Sequence, residues 1–120
     1  MDDVVQMSGD FDRFDPVFRY ETERELQAFL DNERYRFRER HIHIHVKRLN
    51  ASLGTNVLVR CTLGFHTTSG RFNVTEEGFG LEAALKNALL ALKYQVERHF
   101  DMRQDARQKA EGRKGVAAET

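Results

Sequence analysis

The sequence predicts an α+β fold of order β-α-β-β-β-α, with an antiparallel-rich sheet and two helices packed on one of its faces. Apolar residues recur at spacings of three and four after Asp15-Pro16 and again after Gly80, which is typical of amphipathic helices. Between these two segments, three stretches alternate apolar and polar residues, as half-buried strands do. The length of 120 residues favours one core. We expect a single domain over residues 1–110 and a flexible tail over residues 111–120.

Composition limits the classes of function. Hydrophobic residues make up 40% and charged residues 32% of the chain, and the formal net charge is zero. Such a chain has no global attraction to nucleic acid, so any phosphate contacts must come from charges sorted onto one face. The N-terminus lacks a basic start and a long apolar run, and Cys61 is the only cysteine. We therefore expect a cytoplasmic protein without a membrane segment or an intrachain disulfide.

The first two elements precede residue 33. The short apolar run from Val4 to Met7 is a candidate first strand, ended by Ser8-Gly9. Asp15 then fits a helix N-cap, with Pro16 at the first helical position. Apolar residues at helical spacing predict a first helix over residues 16–32.

Three strands and a long helix follow. In residues 40–48, Ile42, Ile44 and Val46 point to one side and every histidine points to the other. Residues 50–56 have loop composition, residues 57–64 alternate again, and residues 67–70 resemble a hairpin turn before a third strand over residues 71–75. After Gly78 and Gly80, an apolar stripe from Leu81 to Phe100 predicts the helix that covers the sheet, and from 102 onward large apolar residues become scarce.

Strand alternation also predicts the open face of the sheet. The outward-pointing residues of the strands are cations, imidazoles and hydrogen-bonding groups, with no carboxylate among them. Glu76 and Glu77 are expected at the strand-to-helix junction. This composition suits phosphate and ribose contacts, although an ordinary solvated face remains the alternative. The residues expected on this face are His41, His43, His45, Lys47, Arg60, Thr62, Arg71, Asn73 and Thr75.

The run His41-x-His43-x-His45 raises a metal-binding alternative, since imidazole is a common zinc or copper ligand. Alternate residues on a strand lie about 6.5 to 7 Å apart, which makes convergence of all three rings on one ion difficult. His66 and His99 are the other histidines, and His99 falls on the predicted helix. We therefore expect no metal site and no cofactor.

Catalytic motifs are weak. Cys61 falls in the inward phase of its strand, where a free cysteine usually serves as a small buried hydrophobe. Gly78-Phe79-Gly80 is too short for a phosphate-binding loop, and no βαβ unit surrounds it. The sequence therefore predicts a protein that is not an enzyme and has no small-molecule substrate.

The C-terminal half resembles a known family. The segments that carry the likeness are Val57 to Leu63, the Ser69-Gly70 turn, Phe72-Asn73-Val74 and the helix start from Leu81 to Ala88. Together with the element order, they resemble the last hairpin and final helix of the ribosome hibernation promoting factors, also called ribosome-associated inhibitors or sigma-54 modulation proteins. The resemblance implies a short, one-domain form that binds the small ribosomal subunit and its ribosomal RNA, inhibits translation and protects idle ribosomes under stress.

In that family the final helix carries basic residues, and Lys86, Lys93, Arg98 and Arg103 are the counterparts here. The resemblance thus adds these four to the sheet residues His41, His43, His45, Lys47, Arg60 and Arg71 as expected RNA contacts. We expect the sheet and helix groups to line one surface.

Two other classes of function fit the same elements. A double-stranded-RNA-binding domain shares the order helix, three strands, helix, but its last helix begins with a lysine cluster, and only Lys86 lies near that position here. A non-catalytic protein-interaction module is compatible with the neutral net charge.

Overall fold

A computed structural model describes residues 3–33, 36–50 and 57–119, and for residue 3 and residues 102–119 this description covers the backbone. The elements are β1 (Asp3–Gly9), a 3-10 turn (Asp10–Arg13), α1 (Pro16–Asn32), β2 (Arg40–Arg48), β3 (Leu58–Thr67), β4 (Gly70–Phe79) and α2 (Leu81–Glu119). The predicted order β-α-β-β-β-α is confirmed, including the first strand. Of the predicted loop over residues 50–56, positions 51–56 lie outside the described residues.

The four strands form one mixed sheet in the order β1-β2-β3-β4. β1 pairs with β2 in parallel. The connection through α1 returns the chain to the end of the sheet at which β1 began, so β2 runs in the same direction as β1. β2, β3 and β4 are antiparallel to one another, as the predicted meander requires. The sheet is therefore antiparallel-rich, with one parallel edge strand that alternation alone did not predict.

Both helices pack on the same face of this sheet. The core contains the inward residues of β2, β3 and β4 together with the apolar stripes of the helices, and Ile42, Ile44, Leu63 and Leu92 are fully buried. Phe37 precedes β2 and is also buried; its ring makes edge-on contacts with Phe65 and Phe72. The predicted packing is confirmed for Ile42, Ile44, Val46, Val57, Val59, Phe72 and Val74 beneath Leu85, Leu89, Leu92 and Val96.

The helix ends differ in how well the sequence predicted them. Asp15 caps α1, because its Oδ1 accepts a hydrogen bond from the backbone N–H of Val17, and Pro16 is the first helical residue. α2 continues to Glu119, well past the apolar stripe. The backbone of residues 111–119 is thus helical, and the flexibility of a tail over residues 111–120 stays a prediction.

β4 is longer than predicted, and Gly78 explains why. A Cβ atom at Gly78 would lie 2.6 Å from the backbone nitrogen of Ala84, so only glycine lets the strand pass this close to the first turn of α2. The chain turns from strand to helix at Gly80, whose φ is +91°. The strand therefore ends at Phe79 and not at Thr75.

Candidate nucleic-acid interface

The open face of the sheet is organised in rows of register partners that run across the strands. Each row contains residues from neighbouring strands that lie side by side on this face. The first three rows begin on β1, and the fourth begins on β2. From one end to the other, the rows are Val4, His41, His66 and Arg71; Gln6, His43, Gly64 and Asn73; Ser8, His45, Thr62 and Thr75; and Lys47, Arg60 and Glu77.

These rows confirm where the predicted sheet residues lie and correct one expectation. Glu77 is on the open face, so the prediction that this face carries no carboxylate is wrong. Because β4 extends to Phe79, the alternation that places Asn73 and Thr75 outward continues to Glu77. Glu77 Oε1 accepts hydrogen bonds from Nε and Nη2 of Arg60, at 3.2 and 3.0 Å.

The unpaired cations lie at opposite ends of the face. Lys47 and Arg71 are exposed, and among the residues that the structure describes neither has a carboxylate within ion-pair distance. Lys47 shares the fourth row with the Arg60–Glu77 pair, whereas Arg71 ends the first row beside His66. The face therefore has accessible positive charge at both ends, separated by rows that contain imidazole, hydroxyl and amide groups.

The histidines of β2 are tied to side chains of β1. Ser8 Oγ lies 3.0 Å from Nε2 of His43 and 2.9 Å from Nδ1 of His45, and Gln6 Oε1 lies 3.1 Å from Nε2 of His41. Ser8 thus bridges the rings of His43 and His45, whereas His41 contacts a different side chain of β1. Among the side chains that the structure describes, in residues 4–33, 36–50 and 57–101, no group of three or more histidine, cysteine or acidic residues could hold a metal ion.

Sequence reasoning left His66 out of the candidate interface, although its phase in β3 places it there. His66 pairs with His41 across the strands, and their ring centroids are 5.9 Å apart. Partial desolvation lowers the pKa of His66, and the neighbouring charges of Arg71, His41 and His43 lower it further. Extending the predicted strand 57–64 by two residues would have found this histidine.

The helix cations lie on the other side of the sheet. Lys86 and Lys93 are exposed and line a groove of about 650 Å³ between α1 and α2, beside acidic residues such as Glu21 and Glu82. Both helices cover the face opposite to the rows, so the expectation that Lys86 and Lys93 share a surface with Lys47 and Arg60 is wrong. Arg98 is exposed on α2, and the side chain of Arg103 lies outside the described residues.

Cys61 occupies the covered face. Its side chain is buried, and this burial raises the pKa of the thiol to about 12. The thiol is therefore protonated at neutral pH and unsuited to nucleophilic attack. The inward phase predicted for Cys61 is confirmed.

No described helix is both long enough and apolar enough to cross a bilayer.

Comparison with known proteins places these features in a family. A search of curated proteins gave no match for this chain. Residues 4–114 match the family model described as "Hibernation factor Hib, C-terminal domain". The match covers β1 from its second residue onward, the other three strands, α1 and most of α2. The resemblance to ribosome hibernation promoting factors that the hairpin and final helix indicated is confirmed by this match. The chain therefore belongs to the family of the Hibernation factor Hib C-terminal domain, a family of ribosome hibernation factors.

Proposed function

We propose that this domain binds the small ribosomal subunit through ribosomal RNA contacts on the open face of its sheet, and that this binding inhibits translation without any catalysed reaction. Membership of a hibernation factor family supports association with ribosomes. The observation that carries the finer proposal is the composition of the open face. Each of its first three rows contains a histidine, Arg71 lies in the first row, and Lys47 and Arg60 lie in the fourth.

The chemistry of this face suits RNA better than a protein partner. Large apolar residues lie at the margins of this face, at Val4 on β1 and at Leu58 and Phe79, which pair where β3 begins and β4 ends. Hydroxyl, amide and imidazole groups fill the rows between them. Protein interfaces are usually built around a desolvated apolar or aromatic centre. Polar groups framed by cations instead match the phosphates and 2′-hydroxyls of RNA.

The cations on α2 offer a second, weaker contribution to ribosome binding. Lys86 and Lys93 lie beside carboxylates in the groove between the helices, so their local field is partly cancelled. Arg98 has an exposed position on α2. We propose that the sheet residues supply most of the binding and that Lys86, Lys93, Arg98 and Arg103 make secondary contacts with the ribosome.

Charge reversal on the open face tests the proposal. The variant Lys47→Glu with Arg60→Glu replaces two cations of the fourth row and leaves three carboxylates there, counting Glu77. Loss of phosphate contacts weakens binding and flattens its salt dependence by about one unit of logarithmic slope per contact. We expect this variant to lose inhibition of in vitro translation and co-sedimentation with small subunits, while its circular dichroism spectrum stays native.

A matched control places the same change in charge on α1. Arg19 and Arg24 are exposed on that helix, on the covered side of the sheet, and Arg19→Glu with Arg24→Glu should leave sedimentation and inhibition nearly unchanged. If the sheet variant still inhibits translation and travels with the small subunit, the open face is not the binding surface. Equal losses in both variants would instead point to a nonspecific effect of net charge.

A further inference from the structure

The first row of the open face contains three groups that can carry positive charge side by side. His41 on β2 faces His66 on β3, and His66 faces Arg71 on β4. The two imidazole rings are 5.9 Å apart between centroids, and both line a depression of about 240 Å³ at this end of the sheet. The geometry therefore brings two titratable rings to one shallow, solvent-accessible cavity, with Arg71 beside it as the register partner of His66.

We propose that His41, His66 and Arg71 form a subsite for one phosphate group of the RNA backbone, and that filling this subsite takes up a proton on the histidine pair. This inference rests on the proposed function, because it names the anion that the open face would take at this end. The subsite deepens that function by making ribosome binding depend on pH.

Proton uptake follows from the charges around the pair. A phosphodiester keeps its negative charge at all physiological pH values, so the proton gained on binding must go to an imidazole ring. Without the anion, protonation of one ring is opposed by Arg71 on one side and by the second ring. The pKa of His66 is lowered by desolvation, then by Arg71, His41 and His43. A bound phosphate offsets this repulsion and favours the charged ring.

The contact with β1 orients the ring of His41. Its Nε2 lies 3.1 Å from Oε1 of Gln6, a carbonyl oxygen that can only accept a hydrogen bond. When Nε2 donates its hydrogen to Gln6, Nδ1 is the nitrogen left to face the anion. The protonated ring then has a donor for the phosphate while it keeps its bond to Gln6.

Other charged groups reach the depression from the start of β2. Glu39 and Arg40 line it together with the histidine pair, and Arg40 is largely buried whereas Glu39 is exposed. The carboxylate of Glu39 opposes binding of an anion. Glu39→Gln should therefore strengthen phosphate binding, whereas loss of the histidines should weaken it.

The first experiment measures the Kd of the full chain for small ribosomal subunits at about pH 7.5 and about pH 6, at constant ionic strength. Uptake of one proton changes a Kd by at most about tenfold per pH unit, so we expect binding to tighten about three- to tenfold on acidification. His41→Gln with His66→Gln should remove this dependence. His45→Gln, two rows away, should keep it, and circular dichroism at both pH values checks that the fold is intact.

The second experiment uses inorganic phosphate as the probe and nuclear magnetic resonance of the histidine rings as the readout. Phosphate should raise the titration midpoints of His41 and His66 and leave that of His45 nearly unchanged. Unchanged midpoints for the pair would overturn the subsite. A pH dependence of ribosome binding that survives in the double variant would overturn its role in RNA binding.

The two experiments separate this inference from the proposed function. If phosphate raises both midpoints but the chain fails to bind small subunits at either pH, the anion is a free phosphate and the assignment to RNA is wrong. If the chain binds small subunits equally well at both pH values and phosphate leaves the midpoints unchanged, the proposed function stands and the subsite is refuted.

Discussion

Arg60 on β3 and Glu77 on β4 are register partners on the open face, and Nη2 of Arg60 lies 3.0 Å from Oε1 of Glu77. The guanidinium that lies beside Lys47 in the fourth row is thus already engaged by a carboxylate. Both side chains are nearly half exposed, so the pair contributes little to stability. Its effect is on the charge that the face offers to a partner.

We predict that Glu77→Gln strengthens binding to the small subunit, because Glu77 competes with phosphate for the guanidinium of Arg60. A full phosphate contact at Arg60 should steepen the dependence of log K on log salt by up to about one unit. The measurement is the Kd over a series of salt concentrations. Glu76→Gln is the matched control, since Glu76 immediately precedes Glu77 in β4 and points to the other face of the sheet. Equal tightening in both variants would show that only net charge matters.

We predict that Leu92→Ala destabilises the domain by about 2 to 5 kcal/mol, against a total stability of about 5 to 15 kcal/mol for a domain of this kind. Leu92 is 0% exposed in the core between α2 and the sheet. Leu90 on the same helix is 56% exposed, and Leu90→Ala should change the free energy of unfolding by less than about 0.5 kcal/mol. Urea titration followed by circular dichroism measures both. Equal effects would contradict the docking of α2 described here.

We predict that Glu33→Gln raises the Tm at about pH 7 and that this gain shrinks at about pH 4. Burial raises the pKa of the Glu33 carboxyl, although the charge of Arg36 at 3.6 Å lowers it. Glu33 Oε2 has no hydrogen-bond partner among the described residues, which exclude 34 and 35.

The sign follows from the raised pKa in the folded state. The protonated carboxyl is favoured by folding, so its contribution to stability is full below the unfolded pKa and is lost as the pH rises through the folded pKa. Glutamine keeps the neutral form at every pH. Glu25→Gln on the exposed side of α1 is the control and should leave the Tm unchanged. A lower Tm for Glu33→Gln at neutral pH would show that attraction to Arg36 outweighs the cost of burial.

We predict that native protein resists alkylation of Cys61 by iodoacetamide at about pH 8, because the thiolate is the reactive form and the pKa of the buried thiol is about 12. Cys61 is the only cysteine, so mass spectrometry reports its labelling directly. The same protein in urea should be labelled rapidly. Fast labelling without urea would mean that β3 opens readily at this position.

The strand β2 shows how much of the structure the alternation of apolar and polar residues predicted. Alternation over residues 40–48 predicted both the limits of β2 and the face of every side chain on it, because a strand repeats every two residues and one face is apolar. The Asp15-Pro16 signal likewise predicted the start of α1. In both cases the determining forces act between residues near each other in the chain, so the local sequence contains the information.

The pairing of distant segments was decided only in the tertiary structure. Whether β1 lies parallel to β2 depends on where α1 packs, and the length of β4 depends on how closely Gly78 approaches the first turn of α2. That extra length places Glu77 beside Arg60, and the length of β3 places His66 beside His41. The packing of α2 on the sheet also decides that Lys86 and Lys93 lie on the side opposite to Lys47 and Arg60.

The sequence by itself thus determined the fold class, the inward and outward phases of the strands and the family. The tertiary structure decided which charges meet, because contacts between strands depend on register and strand length, and these are determined by packing between segments far apart in the chain. The Arg60–Glu77 pair and the row formed by His41, His66 and Arg71 both depend on that packing.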